Sequence, residues 1–244
     1  MSSAESRPAF YALAPSGARD YWTLLHPPYT LWHLSYVVVG ACLAPVVSGT
    51  RLGLVVGAFA LAVGIGAHAL DELNGRPLRT RIPDAVLIAL AVLSIAGAAA
   101  IGILAATLYS PWLLAFVAAG VFLVVAYNIE LFGGRIHTDL WFALAWGAFP
   151  VLTAYFTMAE TLRWDAILAA SFALLASLAQ RSLSTVARGL RRRTTSVTGV
   201  IERTDGTREP ITPETLLRAP ETALRALSAA MVALAAAFIL LRFA

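Results

Sequence analysis

Seven apolar stretches, each about twenty residues long, constrain this chain more than any motif in it. They run over roughly residues 30–49, 52–70, 85–108, 111–129, 139–159, 165–186 and 220–241. About 20 consecutive apolar residues let a helix cross a hydrocarbon core of roughly 30 Å. With 59% hydrophobic and 13% charged residues over 244 positions, the chain carries far more apolar surface than a soluble domain of this length needs. The expected fold class is therefore all-α: an integral membrane protein of about seven transmembrane helices. No early apolar core marks residues 1–29 as a cleavable signal. The single cysteine, Cys42, falls inside a span and excludes an intrachain disulfide.

Charge sets the orientation. All eighteen basic residues are arginine. Threading the spans alternately leaves Arg51, Arg163 and Arg242 on one side and the other fifteen on the opposite side. The positive-inside rule then places the N-terminus in the cytoplasm and the C-terminus outside, in a prokaryotic plasma membrane. The net charge of +4 does not call for a nucleic-acid partner, because the arginines cluster beside membrane segments. The expected organisation is a cytoplasmic or interfacial segment 1–29, a six-helix core 30–186, a basic segment 187–219 and a final helix 220–244. Within the basic segment, SVTGVIERTDGTREPIT alternates in part around Asp205-Gly206, the signature of a short cytoplasmic β-hairpin between helices six and seven. Pro213-Glu214 and Pro220-Glu221 each read as a helix start, and Ser110-Pro111 reads as an N-cap with an N1 proline.

The chemistry concentrates in AHALDELNGRPLRTRIPD, residues 67–84. This patch combines His68, Asp71, Glu72, Asn74, Arg76, Arg79 and Arg81 where the second span leaves the membrane. Carboxylates at a helix C-terminus oppose the macrodipole and require a positive answer. If the helix runs through Glu72, then His68, Asp71 and Glu72 share a face at i, i+3 and i+4. Asp71 and Glu72 could then hold Mg²⁺, and the arginines could clamp a diphosphate. The plain alternative is two acids neutralised by loop arginines. Two further groups stand at the same membrane end. Tyr127 and Asn128 close span four ahead of Gly133-Gly134-Arg135-Ile136-His137, and Gln180, Arg181 and Arg188 lie near the inner end of span six. Arg181 lies near enough to the core to require a partner or a water-filled cavity, with Asp71, Glu72 or a phosphate as the candidates. Arg191, Arg192 and Arg193 read as a topology anchor. His26 and His33, paired with His68, would allow an intramembrane haem.

Several of these pieces resemble the UbiA-type intramembrane prenyltransferases. The likeness lies in DYWTLLHPPYTLWHLSYVVVGACLAP leading into the first helix and in the acidic motif that runs into Arg76-Pro77-Leu78. It continues through Ala126-Tyr127-Asn128 and WFALAWGAFPVLTAYF, and covers about residues 20–185. The resemblance implies a bundle around a lipidic cavity and Mg²⁺ held by acidic loops after helices two and six. Carried onto this chain, His68 stands where the first loop usually begins with Asn. Ala69 replaces its first Asp, Glu72 matches its second, and Arg76 falls at the third. The second loop is missing: QRSLSTVARGLRRR follows span six, with no acid between Asp165 and Glu202. The family also usually has nine helices.

The resemblance implies a membrane enzyme acting on a prenyl diphosphate or related lipid phosphate at the cytoplasmic face, by Mg²⁺-assisted prenyl transfer. Asp71 and Glu72 would bind the metal. Arg76, Arg79, Arg181 and Arg188 would bind phosphate, and His68, Asn74, Tyr127 and Asn128 would orient the reacting groups. The alternative is a non-catalytic lipid-binding or accessory protein on a degenerate scaffold of the same kind. A transporter is disfavoured, because no charged residue lies deep in the first five spans.

Overall fold

The computed structural model describes residues 7–244. A short helix α1 (Ala18–Leu24) precedes seven longer ones. These are α2 (Pro27–Leu43), α3 (Gly49–Leu73), α4 (Asp84–Leu108), α5 (Leu113–Asn128), α6 (Asp139–Ala159), α7 (Trp164–Arg192) and α8 (Pro213–Phe243). Five of them, α3, α4, α6, α7 and α8, are long and apolar enough to cross a membrane. Large apolar side chains such as Leu93, Leu175 and Leu240 point outward from them, as a lipid-facing surface requires. The architecture is that of a helical membrane protein.

The two remaining stretches form shorter helices than expected. α2 has 17 residues and α5 has 16, against the roughly 20 that a full crossing needs. α2 stops at Leu43 because Ala44 precedes Pro45 and adopts an extended backbone with ψ 150°, the conformation that a following proline favours. Before α5, the amides of Leu113, Leu114 and Ala115 bond to carbonyls three residues back. That tight turn consumes Ser110 to Trp112, so Ser110 is not the helix cap.

The expected boundaries around the basic segment also move. α7 continues through residue 186 to Arg192, which puts Arg188, Arg191 and Arg192 on a helix rather than in a loop. α8 starts at Pro213, where the side chain of Thr212 caps the amide of Thr215 and the Thr215 hydroxyl answers the Thr212 amide. Pro220 therefore lies inside this helix. The hairpin lies in the linker between them, with β1 (Val200–Glu202) antiparallel to β2 (Arg208–Pro210) and Gly206 in the turn at φ 85°.

Alternating helix directions give the bundle two distinct ends. At one, Arg51 binds the carbonyls of Thr157 and Met158 and the carboxylate of Glu160, while Arg242 binds the carbonyls of Cys42 and Ala44. At the other, Asn74 reaches the Asn128 carbonyl, Arg181 pairs with Asp139, and Arg191 pairs with Glu221. This second end holds most of the arginines.

Two helices widen on the way to it. α3 winds as a π-helix over Ala60–Ala67, and α6 does so over Leu144–Ala148. Such segments are uncommon and often mark functional sites. The second one presses against α7 through Gly147, where a Cβ would lie 2.6 Å from both the Ala173 carbonyl oxygen and Ser177 Oγ.

Candidate functional site

Two cavities inside this bundle share one lining residue. One is a chamber of about 120 Å³ at the arginine-rich end, walled by α2, α3, α5, α6, α7, Glu221 of α8 and the Pro8–Tyr11 segment. The other is an apolar groove of about 100 Å³ between α3, α4, α5 and α6, lined by Phe59, Val63, Gly102, Phe116 and Phe149 among others. Trp146, in the π-helical turn of α6, lines both. It packs against Tyr127, with ring centroids 4.6 Å apart, and stacks on Phe142 at 5.7 Å. An aromatic partition thus separates a polar space from an apolar one.

One face of α7 supplies the cationic wall. Gln180, Arg181, Ser184, Arg188, Arg191 and Arg192 all line the chamber, and the helical repeat brings these positions together once α7 is extended to Arg192. Two of the arginines are committed to acids. Arg181 Nε donates to Asp139 at 2.8 Å, and Arg191 donates twice to Glu221, at 2.5 and 3.0 Å. Arg192 Nε donates to the Pro8 carbonyl at 3.0 Å, and Arg188 donates to Ser184 and Thr185 of its own helix at 3.3 Å. Among the described residues, neither Arg188 nor Arg192 has an ion-pair partner within 4.0 Å. The carboxylate facing them is Asp71, half-buried, which accepts no hydrogen bond from the described residues. Two guanidinium groups without an ion-pair partner, beside one carboxylate, leave a net positive charge that suits an anion.

The four imidazoles line the same chamber. His33 Nδ1 donates to the Trp146 carbonyl at 2.9 Å, and His68 Nδ1 to the Gly64 carbonyl at 3.1 Å, so both π-helical turns give a carbonyl to a histidine. His137 Nδ1 donates to the Tyr127 carbonyl at 3.0 Å, and its ring stacks on Tyr127. His26 stacks on His68 with centroids 4.3 Å apart and planes 12° from parallel. A face-to-face stack turns the ring nitrogens sideways, which does not suit two imidazoles meant to bracket one haem iron. His26 takes a left-handed backbone, φ 46°, and shares a 2.7 Å hydrogen bond with the Tyr11 hydroxyl. Burial, with His68 alongside, holds the His26 imidazole well below its usual pKa, and burial raises the Tyr11 phenol well above its own.

Four buried side-chain polar atoms lack a hydrogen-bond partner among the described residues: His26 Nε2, Tyr127 Oη, Gln180 Oε1 and Ser228 Oγ. The first three belong to residues that line the chamber. Buried polar atoms are nearly always satisfied, so these three call for a partner in the chamber, a water or a ligand.

The sequence-predicted residues divide here. His68, Asp71, Tyr127, Asn128, Arg181 and Arg188 come together around the chamber. Glu72 does not join them. It is fully buried, with Oε2 accepting from the Leu78 amide at 2.9 Å and Oε1 from the Thr80 amide and hydroxyl at 2.8 and 2.9 Å. Arg76 donates to the Ile82 carbonyl at 2.7 Å and pairs with Asp84, while Arg79 is exposed; neither lines the chamber. Asn74 is exposed and ties α3 to the end of α5 through the Asn128 carbonyl. These residues build the loop between α3 and α4, in which Arg76 and Arg79 both take positive φ.

The expected Asp71–Glu72 metal pair therefore does not fit. Both Glu72 oxygens are occupied by loop donors, and consecutive residues on a helix diverge by about 100°. Among the described residues, no group of three or more His, Cys, Asp or Glu side chains comes together to hold a metal ion. Sequence reasoning did not single out Tyr11 or Trp146 as site residues and read Arg192 as a topology anchor. For the arginines the available signal was their spacing at 181, 188 and 192, which keeps one helix face.

Comparison of the chain with known protein families, with characterised proteins and with solved structures finds no match.

Proposed function

We propose that this protein holds an isoprenoid or similar lipid phosphate, with its apolar tail in the groove and its charged head in the chamber. The observation that carries this reading is Trp146, one side chain lining both an apolar cavity and an arginine-bearing one. An amphiphile is the ligand whose two halves match those two spaces. On this reading Arg188 and Arg192 bind the phosphate oxygens, Arg181 is oriented by Asp139, and Asp71 limits the negative charge that the site accepts. The arginine-rich end faces the cytoplasm, with all seven long helices of a UbiA-like scaffold in the membrane. The site works as a metal-independent anion receptor, since Glu72 is committed to its loop.

The experiment is equilibrium binding of geranylgeranyl phosphate and of geranylgeraniol to the detergent-solubilised protein, with and without EDTA. Binding of the phosphate at least about tenfold tighter, and unchanged by EDTA, is expected. Equal affinities for phosphate and alcohol would overturn the proposal.

A second reading, prenyl transfer assisted by Mg²⁺, is favoured by one observation: the Asp71 carboxylate stands open in the chamber beside arginines. Asp71 alone, together with the diphosphate oxygens, would hold Mg²⁺, and the ion would supply charge stabilisation to the leaving group. The protein's own part would be to hold the diphosphate on Arg188 and Arg192, within a chamber walled on one side by the Pro8–Tyr11 segment. Turnover of radiolabelled geranylgeranyl diphosphate with Mg²⁺, abolished in Asp71→Asn, would establish this reading over the first.

A further inference from the structure

The chain contains four histidines, and all four line this chamber. Their tautomers are constrained by their partners. A main-chain carbonyl can only accept, so His33, His68 and His137 each carry a hydrogen on Nδ1. In the neutral ring Nε2 is then an acceptor, and none of the three Nε2 atoms has a partner among the described residues. Gln180 Oε1 is a buried acceptor without a donor, and Asp71 adds a carboxylate. The α7 arginines that line the same chamber can only donate. The chamber thus offers two sets of groups, the donating arginines and the accepting imidazoles, Asp71 and Gln180.

A bare phosphate dianion matches only the donating set. Its oxygens accept from Arg188 and Arg192, but it brings no donor for the imidazoles or for Gln180. Acceptors left without a donor once a ligand displaces water from the chamber weaken its binding. A ligand that satisfies both sets carries an anion and several hydroxyl groups within one headgroup.

Resting on the lipid-phosphate reading above, we propose that the headgroup is a polyol phosphate diester. Its phosphate sits on the α7 arginines, and its hydroxyls donate to Nε2 of His33, His68 and His137 and to Gln180 Oε1. The diester form agrees with Asp71, because one negative charge meets less repulsion from that carboxylate than two. The hydroxyl donors also give the buried Tyr127 hydroxyl a partner.

Two single-chain probes of equal charge and tail test this: farnesyl glyceryl phosphate and farnesyl methyl phosphate, with farnesol and soluble glycerol phosphate as references. Affinities for the detergent-solubilised full-length protein are read by native mass spectrometry. The glyceryl diester is expected to bind about tenfold tighter than the methyl diester, a margin of one to two net hydrogen bonds. That ratio is expected to fall towards one in His68→Phe and in His137→Phe. A ratio near one in the unmodified protein overturns the proposal while leaving the anion reading standing. A ratio that survives both substitutions overturns the assignment to the histidines. Glycerol phosphate competing as strongly as the glyceryl diester overturns a single-lipid headgroup in favour of a separate soluble ligand. If neither diester binds better than farnesol, the lipid-phosphate reading itself fails.

Discussion

Thr80 closes on Glu72 twice, its amide and its hydroxyl donating to the same carboxylate oxygen at 2.8 and 2.9 Å. With the Leu78 amide on the second oxygen, this residue pair organises the whole turn between α3 and α4. It explains how Arg76 and Arg79 are kept in left-handed backbone conformations, which cost a non-glycine residue of order 1 kcal/mol or more.

Glu72→Ala should therefore be a stability variant. It strands two buried amides and a hydroxyl and is expected to cost roughly 2–4 kcal/mol. Asp71→Asn, one residue away, should leave stability within about 1 kcal/mol and raise affinity for geranylgeranyl phosphate. Thermal unfolding in detergent, beside a binding titration, reads both. Equal destabilisation by the two substitutions would mean that Asp71 is also structural.

The arginines should separate in the same way. Arg188→Gln is expected to weaken geranylgeranyl phosphate binding about tenfold, as loss of a charge-assisted hydrogen bond does. Arg76→Gln should leave that affinity unchanged, because its guanidinium is spent on Ile82 and Asp84. The comparison needs only a titration at fixed salt, and the reverse ranking would contradict the assignment of the chamber.

Acidification should destabilise the protein partly through His26. Its imidazole is held well below the usual value, by burial first and by neighbouring His68 second. The unfolded chain consequently takes up a proton before the folded protein does. Stability from this group is full above about pH 6.5 and is lost as the pH falls below it. Unfolding midpoints from pH 7.5 to 5 should drop, and His26→Phe should flatten that slope. An unchanged slope in the variant would sink the attribution.

The groove should set tail length. A Cβ at Gly120 would sit 3.3 Å from the Phe149 ring, which lines the same groove. Gly120→Leu fills apolar space without touching the chamber. It is expected to reduce affinity for geranylgeranyl phosphate several-fold while sparing geranyl phosphate, as measured by competition. A uniform loss for both lengths would place the tail elsewhere.

Orientation is testable at the hairpin. A cysteine introduced as Gly206→Cys lies in an exposed turn, whereas Cys42 is buried. In intact cells it should resist a membrane-impermeant maleimide and react only after lysis. Labelling in intact cells would invert the topology.

The sequence by itself determined the class of fold, because apolar runs of this length are a local property and local hydropathy decides what enters a bilayer. It likewise placed the hairpin, whose Asp205-Gly206 turn is specified by adjacent residues. It brought His68, Asp71, Tyr127, Asn128, Arg181 and Arg188 onto one list, since charged and polar residues at helix ends stand out against apolar surroundings. Only the tertiary structure decided which of two neighbouring acids faces a cavity. Asp71 and Glu72 are equivalent in charge and context, and their roles diverge because a helix turns consecutive side chains to different faces. One then met the α3–α4 loop amides and the other an open chamber. The four histidines, spread over 112 positions from 26 to 137, came to line one chamber for the same reason: packing between helices is set by contacts far apart in the chain, which no local pattern records.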